Sequence, residues 1–138
     1  MRDDRRFEAV AVGFVRSPFA GVPEAPRQGR DVGAVAEIEI LPGYADALDG
    51  LSEHPRVWVV CWMHRARRDV LRLVPRATPG GRPVGVFATR SPARPNPLAL
   101  YLVDLLGVKG RTVTVRGMDA IDGTPVLDLR PHIPRLDT

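Results

Sequence analysis

Apolar positions fall mostly in short runs that alternate with polar ones, punctuated every few residues by proline or glycine. Residues 7–15 read as an apolar strand ended by Arg16-Ser17-Pro18. In 35–41, Glu37 and Glu39 alternate with Ile38 and Ile40, the signature of a strand with one face in a core. Behind Pro42, Tyr44, Ala47, Leu48 and Leu51 return at helical spacing, which predicts a short helix over 44–51. Residues 56–63 are β-branched, aromatic or otherwise apolar almost throughout, the pattern of a central strand buried on both faces. Shorter strands are expected at 70–74, 84–88, 98–106, 112–117 and 126–129. Strands outnumber helices, so the fold class is mainly β, and closing the sheet into a small barrel would protect its edges. The stretch that follows Arg16-Ser17-Pro18, to about Arg30, is expected to be an irregular loop, and loops of that length in a small domain are usually functional or disordered.

A chain of 138 residues suits one domain spanning 1–138. Hydrophobic residues at 44% and charged residues at 26% are enough for a core and argue against global disorder. A lone cysteine, Cys61, excludes an internal disulfide, a multi-cysteine zinc site and a Cys-x-x-Cys pair, and fits a reducing compartment. His54, His64 and His132 have no metal-ligand spacing, so no metal is expected. The longest apolar run, 57–63, is seven residues, far short of the roughly 20 that span a bilayer. The first residues carry no apolar run with a cleavage site, and a cytoplasmic protein is expected. Glycine-rich dinucleotide and phosphate loops, Gly-x-Ser-x-Gly and His-Glu-x-x-His are all missing. The net charge of +4 is carried by arginine, with Lys109 the only lysine among 20 basic residues. Arginine forks hold phosphates and carboxylates, so the surplus is compatible with RNA.

Two segments concentrate candidate chemistry. In Gly85-Val86-Phe87-Ala88-Thr89-Arg90-Ser91-Pro92-Ala93-Arg94-Pro95-Asn96-Pro97, the prolines restrict the backbone that carries Arg90, Ser91, Arg94 and Asn96. Spacing leaves two readings open, a preorganised anion site and a rigid surface turn. In Asp119-Ala120-Ile121-Asp122-Gly123-Thr124-Pro125-Val126-Leu127-Asp128, Asp-Gly signals a tight turn that Asp122 would stabilise. The same aspartates could face a cationic ligand or take a proton.

Arg16-Ser17-Pro18, Pro26-Arg27-Gln28, the proline-arginine segment and Asp122-Gly123-Thr124-Pro125-Val126-Leu127-Asp128, with the closing Arg130-Pro131-His132-Ile133-Pro134-Arg135-Leu136-Asp137, together resemble the TsaA-like family of S-adenosylmethionine-dependent methyltransferases. The resemblance covers most of the chain and implies a small β-barrel with short helices, unlike the Rossmann type, paired into a homodimer with the cofactor site near the interface. Its characterised members methylate N6 of threonylcarbamoyladenosine at position 37 of tRNA, which makes tRNA the implied substrate. Carried over by motif, the cofactor-binding positions are Pro26, Arg27 and Gln28, then His64 and Arg65, then Arg90 and Leu100, and lastly Asp119, Ala120, Ile121 and Asp122. In such a site an arginine clamps the cofactor's carboxylate, carboxylates tolerate its sulfonium, and backbone around Ala120 and Ile121 reads the adenine. A ureido nitrogen needs a base, for which Asp122 and His64 are the candidates. Trp58, Trp62 and Tyr44 are candidates to stack on a base, and Arg65, Arg67, Arg68 and Arg72 form a candidate polyanion track.

The chain also departs from the family pattern. Arg56 stands where the family writes histidine, His132 and Arg135 stand in place of two tyrosines, and a short form without the C-terminal domain of many bacterial members is expected. The alternatives are a methyltransferase of the same fold acting on a small molecule or another RNA, and a non-catalytic module that binds the cofactor or RNA.

Overall fold

The computed structural model describes residues 3–19 and 33–137, which contain eight strands in chain order. These are β1 (Gly13–Arg16), β2 (Val35–Ile40), β3 (Arg56–Trp62), β4 (Arg72–Leu73), β5 (Val84–Gly85), β6 (Leu98–Lys109), β7 (Thr112–Arg116) and β8 (Pro125–Pro131). Six of them close into an antiparallel barrel in the order β1-β2-β7-β6-β3-β8, while β4 and β5 pair as a separate two-stranded ribbon. The seam where β8 returns to β1 is short, with Gly13 opposite Val126 and Phe14 opposite Pro125. Two flanking bonds extend it, Val12 N–H to the Val126 carbonyl at 2.8 Å and Val15 N–H to the Thr124 carbonyl at 2.9 Å.

Period-two alternation builds the interior. Val15, Ala36, Ile38, Ile40, Val57, Val59, Cys61, Val103, Val113, Val115 and Val126 point inward and are buried, and Met118 and Ala120 join them from the segment ahead of β8. β3 corrects the expectation of a strand buried on both faces. Val57, Val59 and Cys61 are fully buried, but Arg56, Trp58, Val60 and Trp62 are only half-buried, because a barrel strand has one interior. Apolar residues on its outer face therefore mark partial cover outside the barrel.

Other elements differ from their predicted form for equally local reasons. The strand foreseen over 7–15 begins only at Gly13. Phe7 is 89% exposed and Val10 60%, and ahead of Gly13 it is Val12 that still bonds across to Val126 and Leu41. At Gly13 a side chain could not enter, since a Cβ there would lie 2.6 Å from the Glu39 carbonyl oxygen across the β1–β2 pair. The helix foreseen over 44–51 is instead two 3-10 turns, Pro42–Leu48 and Leu51–Glu53, separated at Gly50 with φ of +87°. Neither turn fully buries a residue; Leu48 and Leu51 pack against the core only in part, which is little reward for a longer α-helix. The predicted strand over 84–88 shortens to β5 and continues as a 3-10 turn, Val86–Ala88. β6 runs past its expected end at 106 to Lys109, with a register shift between Leu105 and Gly107. Among the described residues, no helix is long and apolar enough to cross a membrane.

Candidate functional site

Barrel topology brings most of the predicted site residues to one end. β1, β3 and β7 finish there, and β2, β6 and β8 begin there, since Trp62 faces Leu98, Cys61 faces both Ala99 and Val126, and Val35 faces Arg116. His64 and Arg65 leave β3 at this end, and both are exposed. Met63 N–H reaches the Pro97 carbonyl at 2.8 Å and ties the exit of β3 to the proline-arginine segment. Leu100, 56% exposed, lies just inside β6, and residues 119–122 cross toward the start of β8. Pro26, Arg27 and Gln28 lie outside the described residues. The strands that flank them in sequence, β1 and β2, end and begin at this same end.

The 119–124 turn is knitted to the exit of β1. The Asp122 carboxylate accepts the Ser17 N–H at 3.1 Å, and the Asp122 N–H donates to the Phe19 carbonyl at 2.6 Å. The Ser17 hydroxyl donates to the Ala120 carbonyl at 2.8 Å, and the Thr124 hydroxyl to the Ile121 carbonyl at 2.7 Å. Ala120 and Ile121 are buried, and both of their carbonyls already accept internal bonds. The Asp122 carboxylate thus tethers the exit of β1, while the side-chain bond within the turn itself comes from Thr124. An open cavity of about 520 Å³ lies beside it, lined by Arg16, Ser17, Pro18, Val35, Glu37 and Asp122 among others, and it includes neither Arg90 nor His64.

The proline-arginine segment is held from two sides. Arg94 extends Nη1 to the carbonyls of Thr89 at 3.1 Å and Ser91 at 3.0 Å, and Nη2 to that of Val86 at 3.0 Å. Its own N–H donates to the Arg67 carbonyl at 3.1 Å. From the 64–69 turn, Arg68 donates through Nε to the Pro95 carbonyl at 2.8 Å and through Nη2 to Asn96 Oδ1 at 3.3 Å, with its guanidinium 5.0 Å from the centre of the Trp62 ring. Arg90 remains exposed.

Several expected nucleic-acid contacts are redirected. Arg67 pairs with Asp69 at 2.8 Å, which holds the Asp69 carboxyl below its usual range, and Arg72 donates to the Pro83 carbonyl at 3.2 Å. With Arg68 on Trp62, Arg65 is the member of the predicted track without a side-chain bond among the described residues, and it is exposed. Trp58 donates to Asp137 at 3.4 Å and lies 6.3 Å from the His132 ring, so the chain's last residues approach it. Tyr44 sits on the 3-10 turn after β2, at the opposite end of the barrel. Charge does concentrate in one stretch of sequence, because residues 64–97, which leave β3 and return to β6 at the candidate end, hold eight arginines and one aspartate, leaving the remainder of the chain net acidic.

Beneath this end lies a polar cluster that the sequence reading missed. Burial pushes the Asp119 carboxyl up, opposed by a hydrogen bond from the Tyr101 hydroxyl. Burial, then the neighbouring Asp119, raises the Tyr101 phenol and lifts the Cys61 thiol to about 12. Tyr101 points inward in register with Ala99 and Val103 of β6, and Cys61 faces Ala99. Working out the β3–β6 register would have found both.

Comparison with known proteins agrees with the barrel and its motifs. The family described as the tRNA-methyltransferase O N-terminal domain matches residues 14–138. The chain is 50% identical over 135 residues to a protein of Methanothermobacter thermautotrophicus named "Probable S-adenosyl-L-methionine-binding protein", across 98% of this chain and 96% of that one. It is 45% identical over 126 residues to an S-adenosyl-L-methionine-binding protein of Archaeoglobus fulgidus, across 91% of this chain and 89% of the other. The crystal structure of TrmO from Pseudomonas aeruginosa superposes with a TM-score of 0.77 at 31% identity, covering 97% of this chain and 59% of that one. The chain therefore spans less than two thirds of that solved protein.

Proposed function

This chain belongs to the tRNA-methyltransferase O N-terminal domain family, and from that premise we propose that it is an S-adenosylmethionine-dependent methyltransferase acting on N6 of threonylcarbamoyladenosine at position 37 of tRNA. The observation that supports this reading is that His64, Arg65, Leu100 and residues 119–122 come to one barrel end, where the stretch 64–97, with its eight arginines, leaves β3 and returns to β6. A polyanion binds such a surface through phosphate contacts, and its affinity falls steeply with salt.

The residues present suit the cofactor's charges. Exposed guanidiniums on Arg65 and Arg90 can fork onto a carboxylate, Asp119 and Asp122 supply anionic partners for cationic groups, and Leu100 offers an apolar contact. When bound, the cofactor supplies an electrophilic methyl group. In-line transfer depends on holding acceptor and donor in a near-attack arrangement, so the ties that join the 64–69 turn, the proline-arginine segment and the 119–124 turn to the barrel contribute by positioning. Of the two candidate bases, His64 is the better placed to take the ureido proton, because the Asp122 carboxylate already holds the Ser17 N–H. The reading includes a homodimer. Exposed Leu98 and Leu100, beside half-buried Val60 and Trp62 on the outer faces of β6 and β3, form the apolar strip that pairing would cover.

Calorimetric titration of S-adenosylmethionine, followed by transfer of labelled methyl to tRNA carrying threonylcarbamoyladenosine, tests the activity. Saturable binding near one per protomer with methyl incorporated into that tRNA is expected. Binding without incorporation into any RNA would make the protein a cofactor-binding module, and no binding would overturn the reading altogether. Sedimentation of the purified protein as a monomer would remove the dimer.

A further inference from the structure

Arginines in a proline-rich segment proposed to meet a carboxylate invite the assumption that each of them touches it. The hydrogen bonds separate them. Arg90 is exposed, whereas Arg94 directs both terminal nitrogens at backbone carbonyls of its own loop. Two of those carbonyls belong to Thr89 and Ser91, the residues immediately before and after Arg90, and one nitrogen, Nη1, holds both. The third belongs to Val86, whose oxygen also accepts the Thr89 N–H at 3.0 Å and the Thr89 hydroxyl at 2.8 Å. The loop is further tied by Ser91 N–H to the Thr89 hydroxyl at 3.3 Å and Ala93 N–H to the Ser91 hydroxyl at 3.2 Å. Through its own N–H on the Arg67 carbonyl, Arg94 also joins this loop to the turn that carries His64 and Arg65.

We infer that Arg94 is a positioning residue, whose planar fork fixes the backbone on both sides of Arg90 and so presents that guanidinium to the carboxylate of the cofactor without touching it. The inference rests on the proposed S-adenosylmethionine site. A guanidinium carries several donors in a fixed plane and can hold three carbonyls at once, which an ammonium on a flexible stem cannot do in the same geometry. Charge at position 94 is therefore not what matters; its shape is.

The test is a calorimetric titration of S-adenosylmethionine into wild type, Arg90→Ala, Arg94→Lys, Arg94→Ala and the double variant Arg90→Ala/Arg94→Lys, with thermal unfolding recorded for each. Arg94→Lys is expected to bind about tenfold more weakly, because the loop must then be ordered at the expense of binding. The double variant is expected to bind no more weakly than Arg90→Ala alone, since Arg94 acts only through Arg90. Wild-type affinity in folded Arg94→Lys would show that charge suffices and would overturn the inference. So would an equal further loss from Arg94→Lys when Arg90 is already alanine, which is the mark of a direct contact or of general loosening. Should Arg94→Ala fail to fold, the lysine variant and the cycle with Arg90 still decide the matter. If wild type itself does not bind, the cofactor reading fails first and the inference falls with it, a result distinct from every variant-specific loss.

Discussion

Two buried or tethered side chains set the behaviour expected residue by residue. Asp122 holds the Ser17 N–H and links the exit of β1 to the turn ahead of β8. Asp122→Ala should cost about 1 kcal/mol in urea unfolding, and Asp122→Asn, which keeps an oxygen acceptor, much less. Cys61 has its thiol lifted by burial from an ordinary 9.0 to about 12. Between those values the unfolded thiol ionises while the folded one keeps its proton, so the unfolded state binds fewer protons and stability falls as pH rises. The raised Tyr101 phenol adds to the same alkaline loss. Each pH unit in this window costs up to about 1.4 kcal/mol per thiol, and stability curves measured against pH should flatten in Cys61→Ala. At neutral pH the folded protein should resist alkylation by iodoacetamide until denaturant exposes the thiol.

Strands whose alternation matched their burial were legible from the sequence. β2 puts Ile38 and Ile40 inside and Glu37 and Glu39 at the surface, and β7 buries Val113 and Val115 between half-buried threonines. What periodicity cannot supply is a partner. Phe7 and Val10 are apolar but largely exposed, and of the helically spaced Tyr44, Ala47 and Leu48 only Leu48 packs, in part, against the core. The site divides in the same way. Arg90, Asp119 and His64 were nameable from motifs, but the Tyr101–Asp119 bond depends on barrel register, and the roles of Arg68 and Arg94 depend on which carbonyls curl toward them. Close approach between strands gives a sharp test at this scale. With the Glu39 carbonyl 2.6 Å from where its Cβ would fall, Gly13→Ala should lose about 1–3 kcal/mol and lower the thermal midpoint.

Across the whole molecule, charge and fold are carried by different parts. The barrel needs none of the β4–β5 ribbon for its hydrogen-bond order, yet the loop joining those two strands holds Arg76 and Arg82. Leu73 faces Val84, so a two-residue Asn-Gly turn can replace residues 74–83 and still close the ribbon. That variant should keep the parent unfolding midpoint within a few degrees. Its tRNA binding should be weaker, with a log-log salt slope shallower by about 2 if both arginines meet phosphates. An unchanged slope would move the polyanion contact elsewhere on the molecule.

The seam between β1 and β8 has a consequence for how the chain comes to be folded at all. Its paired residues stand more than a hundred positions apart, whereas β6 and β7 form a hairpin across a few residues. Closing so long a loop is slow, and the contacts that reward it arrive only when the last strand is in place. Hydrogen exchange should accordingly release the amides of Val12 and Val15, bonded across that seam, before those of Val57 and Val59 within β3. A nascent chain halted before residue 125 would carry β1 and β3 with bare edges, the form most open to aggregation, and only arrival of β8 removes both at once.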